Sequence, residues 1–491
     1  MSRGELAAQV GGMQAALLRS IRSDLDRVVA PAVGTDEARM ALTLASEMLA
    51  WMEVCARDAQ DFLAPAADAL QALLLRADAL CDRAGITPEE LDPQPAVASE
   101  LHDDVTYAMT QSALAARLAA LLSRETGDSQ LRRDVGELAR DAVAAEGALE
   151  RREYAALSAA LADRSDPVSA VECDITRERL QSWIDSRLAE PCTVEHVERV
   201  PGGYSKDTWR VRVAEGIDGH RALILRRDLP FGPGENTVTE EVALLHALAD
   251  AGLDVPRPLR VESDPAHLGR PFLIFPQLPG KAVFGDWTAD PAERRTVILD
   301  VARLMARLHA IDPFRTGVVD PALRERPPQE IVRDTMRLWR DKWIRRRTHP
   351  SIILETAFDW LIRNAPASLP RVCFVHSDIS FRNTLIDNGH LGALLDWEFW
   401  HLGYFRLVAE PYLDWDEVMA AYQEAGGEPY HPERAAYYEV WRSVRNGTTT
   451  TTAWWGFLNG AYPASKAAYQ GVSLYRLFLR DVAQQLGRVH L

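Results

Sequence analysis

Residues 374–400 read FVHSDISFRNTLIDNGHLGALLDWEFW, with a histidine, several acids and an asparagine set between short apolar runs. The runs RVCFV (371–375) and GALLD (392–396) read as short strands, and the polar residues fall at their ends. Strand ends and the loops beyond them are where a rigid scaffold commonly presents reactive groups. Asp378 is followed five residues later by Asn383 and thirteen further on by Asp396. One carboxylate can accept a hydroxyl proton, while an amide oxygen and a second carboxylate are hard ligands for a divalent cation. Those are the groups that phosphoryl transfer asks of a protein.

Upstream, VEHVERV (194–200), TWRVRVA (208–214) and ALILRR (222–227) have the length and β-branched content of successive strands. Between the first two lies PGGYSKD, whose Gly202, Gly203, Tyr204 and Ser205 could present backbone N–H groups to phosphates or simply form a hairpin turn. TVTEEVALLHALADAG (237–252) has helical periodicity with Gly252 as its stop, and RPFLIFPQLPG (270–280) is a strand running into a proline-rich connection. The order describes a small lobe built on an antiparallel sheet. From about residue 290 the pattern is mostly helical, interrupted by residues 371–400.

The first third of the chain is different. Met13, Leu17, Ile21, Leu25 and Val28 share one helical face, as do Leu44, Met48, Trp51 and Cys55. Thr87, Pro88 and Glu90 form a helix-start signature. Four to six packed helices are expected over 1–165. Asp166-Pro167 then breaks the periodicity, so the expected divisions are a helical domain 1–165, a linker 166–174, a small lobe 175–280 and a large lobe 281–491. His102, Asp103 and Asp104 follow a candidate cap at Ser99 and read as helix-dipole acids rather than metal ligands.

His376-Ser377-Asp378, the interval to Asn383, and Asp396-Trp397-Glu398 resemble the catalytic-loop and metal signature of the aminoglycoside phosphotransferase and choline kinase family. The resemblance covers about residues 175–490 and implies a two-lobed, protein-kinase-like α+β fold behind the all-α N-terminal region. It implies Asp378 as catalytic base, Asn383 and Asp396 as Mg2+ ligands, and His376 as a brace for the loop. Glu398 would be a supporting acid. In the small lobe it implies Gly202, Gly203, Tyr204 and Ser205 over the nucleotide phosphates. Arg226, with Arg227 as the alternative, would stand in the place of the phosphate-contacting lysine of protein kinases, and Glu241 would pair with it. Phe275, Gln277 and Leu278 would meet the purine edge, and Pro276 there leaves ATP or GTP open as the donor. After Glu398 the family's acidic turn is missing, which leaves the acceptor wall undefined.

The stretches GRPFLIF and YYEVWRSVRNG are closest to the subgroup associated with acyl-CoA dehydrogenases, implying a hydroxyacyl-CoA or related alcohol as acceptor. A macrolide or aminoglycoside acceptor is the alternative, and a catalytically silent, partner-binding pseudokinase is the competing class. RDTMRLWRDKWIRRR (333–347) concentrates cations that could hold CoA phosphates or form a solvated helix face.

Composition frames these readings. With 491 residues, 47% hydrophobic and 26% charged, the chain reads as a multidomain globular protein. A net charge of -16 argues against nucleic-acid or membrane-surface partners. Five cysteines without metal-like or paired spacing suit a reducing compartment, and a charged N-terminus without an apolar core reads as cytoplasmic. Homo-oligomerisation through the N-terminal helices is the remaining partner expectation.

Overall fold

The computed structural model describes the chain except residues 1–17, 20, 23–24, 31–32, 34–35, 92–104, 125, 162–174, 190, 201–205, 230–236, 284–289, 349, 368, 370, 377–378, 398–408, 463–464 and 490–491. Helices α1 (Asp36–Ala84), α2 (Val105–Ser123), α3 (Ser129–Leu161) and α4 (Arg177–Arg187) come first. Strands β1 (Val194–Val200), β2 (Lys206–Ile217) and β3 (His220–Asp228) lead to α5 (Val238–Asp250), β4 (Arg260–Glu262) and β5 (Phe272–Pro276). Then follow α6 (Pro291–Ala310), α7 (Pro328–Arg346), α8 (Ile352–Arg363), β6 (Thr384–Asp387) and β7 (His390–Leu394). Helices α9 (Trp415–Glu424), α10 (Pro432–Leu458), α11 (Ser465–Tyr469) and α12 (Tyr475–Leu486) complete the chain. A small antiparallel lobe followed by a mostly helical one, behind a helical N-terminal region, is the expected α+β kinase-like fold.

Packing gathers the chain into two units, residues 1–171 with 333–365 and 443–491, and residues 172–332 with 366–442. In the first unit α2, α3 and α12 all pack on α8. The reason is the composition of α8, where Ile352, Ile353, Leu354, Ala357, Phe358 and Leu361 are buried, so that apolar positions surround most of the helix and need cover on several sides. Late segments therefore pack with the first third of the chain, a division that differs from one drawn along the sequence. Among the described residues before 165 there are three long helices where four to six were expected. Asp36–Ala84 continues unbroken through Pro65, despite the missing backbone donor there. Thr87 does cap a turn with Glu90, but that turn is a three-residue 3-10 helix. Ser99, His102, Asp103 and Asp104 lie outside the described residues.

In the second unit the sheet order is β1-β2-β3-β5-β4, antiparallel throughout. Strand alternation sorts its side chains onto two faces. Leu223, Leu225, Phe272 and Ile274 join Trp183 and Trp209 in one core. Leu273 and Phe275 join α5 and α6 in the other, against which Ile224 packs. RVCFV is not a strand; β7 pairs instead with β6 across the turn Asn388-Gly389. Both turn residues have positive φ, 50° and 77°, as the two-residue turn of a right-twisted hairpin requires.

Candidate active site

β3 carries Arg226 and Arg227 on adjacent positions, so pleating sends them to opposite faces. Arg227 enters the Trp209 side, where it is 1% exposed and donates to Leu268 O (2.7 Å) and Asp207 Oδ2 (2.9 Å). Arg226 emerges on the α5 side. Its Nη1 donates to Glu241 Oε2 at 2.8 Å and its Nη2 to Asp396 Oδ1 at 2.6 Å. Of the two arginines, Arg226 is the one that reaches both acids.

Glu240 and Glu241 are separated in the same way by the start of α5. Glu240 turns back so that its Oε2 accepts from Thr237 N at 2.9 Å, closing a capping box on the exposed side. Glu241 turns inward with Val238, Leu244, Leu245 and Leu248. It is 4% exposed, and burial raises its carboxyl above the usual range while the Arg226 guanidinium pulls it back.

Asp396 follows β7 in a left-handed conformation, φ 63°, which is uncommon for a residue with a Cβ. Its neighbours are tied down. Leu395 N donates to Asn383 O at 2.7 Å, so the backbone bond sets Asn383 beside the segment carrying Asp396. His376, fully buried, has Nε2 2.9 Å from Leu395 O; a carbonyl only accepts, so this nitrogen carries the proton. The His376 ring meets Trp397 edge-on at 4.7 Å, and Trp397 Nε1 donates to Leu394 O at 2.9 Å. Asp378, Gly202, Gly203, Tyr204, Ser205 and Glu398 lie outside the described residues.

At the lobe connection, Phe275 is buried under α5 and pairs with Ile224, while Gln277 N donates to Ala222 O at 2.9 Å. That bond uses the Gln277 N–H within the sheet. It also sets the parity of the ladder, turning the Pro276 carbonyl to the edge opposite β3, where a missing N–H costs β3 nothing. The Pro276 carbonyl and the backbone of half-buried Leu278 are the groups this edge can offer a purine.

Two site-side residues escaped the sequence reading. Lys206, the first residue of β2, is 3% exposed, and its Nζ donates to Asp228 Oδ1 at 2.9 Å. Only the cross-strand register, Lys206 opposite Asp228, makes them neighbours. Of the seven cations of residues 333–347, four arginines have partners within the protein. Arg340 and Arg347 turn to buried Glu355, Arg337 to Asp334 at 2.9 Å, and the Arg346 guanidinium lies 4.0 Å from the Trp455 ring centre.

Asn383 and Asp396 fit a magnesium ion by donor chemistry, an amide and a carboxylate oxygen that leave other positions for phosphate and water. Among the described residues no group of three or more His, Cys, Asp or Glu is arranged to hold a metal by itself. Nor is any described helix long and apolar enough to cross a membrane.

A family model described as "Phosphotransferase enzyme family" matches residues 196–446. Acyl-CoA dehydrogenase family member 10 of Mus musculus is 25% identical over 209 residues, 41% of this chain and 18% of that protein. Acyl-CoA dehydrogenase family member 11 of Gallus gallus is 25% identical over 222 residues, 44% of this chain and 27% of that protein. The match thus spans a minor part of both relatives. Among solved structures, a thermostable mutant of aminoglycoside phosphotransferase APH(4)-Ia in ternary complex with AMP-PNP and hygromycin B is 18% identical, with TM-score 0.40, covering 62% of this chain and 98% of that one.

Proposed function

This chain belongs to the phosphotransferase enzyme family, and on that premise we propose that it is a small-molecule kinase moving the γ-phosphoryl group of ATP or GTP to the hydroxyl of a hydroxyacyl-CoA or related alcohol. The observation that carries the reading is Arg226 held between Glu241 and Asp396, a cation fixed next to a candidate metal carboxylate. Arg226 would meet the donor phosphates, and Asn383 and Asp396 would hold Mg2+. The ion, when bound, would neutralise charge on the phosphates and the leaving group. Asp378 would orient the acceptor hydroxyl and take its proton as the alcohol oxygen bonds to the γ-phosphorus and the bond to the β-phosphate oxygen breaks. His376 would hold the loop through Leu395 without reacting.

The acceptor class is supported by the GRPFLIF and YYEVWRSVRNG stretches and by the names of the two dehydrogenase family relatives. The arginines of residues 333–347 do not add to that support, since four of them are engaged within the protein. The test is a substrate screen with Mg2+ and ATP or GTP across hydroxyacyl-CoA thioesters, macrolides and aminoglycosides, read by mass spectrometry for an added phosphoryl group. A phosphorylated thioester is expected; transfer to an antibiotic alone overturns the acceptor, and no transfer with intact nucleotide binding favours a silent binding module. Asp378→Ala should abolish turnover while leaving nucleotide affinity within about threefold, and retained turnover removes the base assignment.

A further inference from the structure

Lys206 stands where the chain leaves the glycine pair and enters β2, and it is almost wholly buried. A buried ammonium is tolerated only with a compensating partner, and Asp228 across the ladder supplies it at 2.9 Å. The same Asp228 oxygen, Oδ1, also accepts from Val238 N at 2.9 Å, the first amide of α5. One carboxylate oxygen therefore joins three elements: the start of β2, the end of β3 and the N-terminus of α5. Three residues into that helix is Glu241, the acid that holds Arg226. Asp228, Glu241 and Asp396 give three acids against the two cations Lys206 and Arg226, and the Lys206 charge lowers the burial-raised Glu241 carboxyl.

We propose that the Lys206–Asp228 pair is a positioning element of the nucleotide site: it seats α5 on the end of β3 and so fixes Glu241 on Arg226. The inference rests on the kinase reading and adds to it two residues that touch no reacting atom. Asp228 fixes the helix start, and Lys206 holds Asp228 in place. Thr237 and Glu240 cap the helix independently, so α5 forms without the pair and only its seating depends on it.

The full-length wild type is first titrated with Mg2+-AMP-PNP and with Mg2+-GDP by calorimetry; failure to bind either nucleotide defeats the kinase reading itself. Given binding, Lys206→Met and Asp228→Asn should each weaken it about tenfold, the scale of coupling within one ion-pair network, and Lys206→Arg should restore most of it. Asp228→Asn keeps an acceptor for Val238 N, so it loses the ion pair without uncapping α5 and serves if Lys206→Met fails to fold. The deciding measurement is the double variant with Glu241→Gln. If the pair acts through Glu241, removing Lys206 in that background changes affinity less than twofold. A loss that adds in full means that Lys206 meets the phosphates directly, and it overturns the proposal. So does a folded Lys206→Met with lowered melting temperature but unchanged affinity, which marks a merely structural pair.

Discussion

A guanidinium offers donors along two edges of a rigid plane, whereas an ammonium is a point charge on a flexible stem. Arg226 uses this difference, giving one terminal nitrogen to Glu241 and the other to Asp396. Arg226→Lys is expected to lower kcat/KM for phosphoryl transfer about tenfold and Arg226→Met about a hundredfold, checked by steady-state kinetics with nucleotide varied. Its neighbour should behave as a folding residue. Arg227→Met would take from buried Asp207 one of its three arginines, leaving Arg199 and Arg270, and would leave Leu268 O without its donor; the expected loss is about 2 kcal/mol of stability by denaturant unfolding, with nucleotide affinity little changed. Which arginine does which could not be read from ALILRR, because a strand buried on both faces shows no polar alternation to mark its sides. Glu240 and Glu241 are not separable along the sequence for a related reason: two adjacent acids look alike until the capping box claims one of them.

Elements here are capped from within and from elsewhere. α8 is capped by Ser351, yet Ile353 N also donates to Glu146 Oε2 at 3.0 Å and Ser351 Oγ to Glu146 Oε1 at 2.9 Å, both to the carboxyl group of a residue on α3. Burial, and then the neighbouring Glu150, push the Glu146 carboxyl up to about 8. A folded-state value raised above the unfolded one means that this group's stabilisation is full below the ordinary carboxylate range and is lost as pH rises toward 8. Glu146→Gln cannot titrate. The melting temperature of wild type relative to Glu146→Gln should therefore fall steadily between about pH 5 and pH 8, and a constant difference across that range would exclude the linkage. The β6–β7 hairpin was legible in principle from Asn388-Gly389, a strong local turn signal, but the apolar RVCFV run competed for the role of partner strand. A run of apolar residues reports burial, and burial is compatible with coil as well as strand.

For the molecule as a whole, the N-terminal third is part of a packing unit rather than an appendage, since α2 and α3 cover α8, and α3 also packs on α12. A chain starting at Glu172 would expose the faces of α8 and α12 that these helices cover, and it should be insoluble or lack a cooperative transition when followed by circular dichroism; a soluble chain with a sharp transition would contradict this. The sequence by itself determined what depends on neighbours along the chain: the helical periodicity of the first third, the succession β1, β2, β3, α5, β5 in the small lobe without the short β4, and the spacing of Asp378, Asn383 and Asp396 within one short segment. Tertiary structure alone decided which of two arginines meets two acids, that Lys206 and Asp228 share a buried bond with α5, and that helices from both ends of the chain pack together. Arg226 and Asp396 lie 170 residues apart, and the register and faces that join such residues arise from packing across elements, which no local pattern encodes.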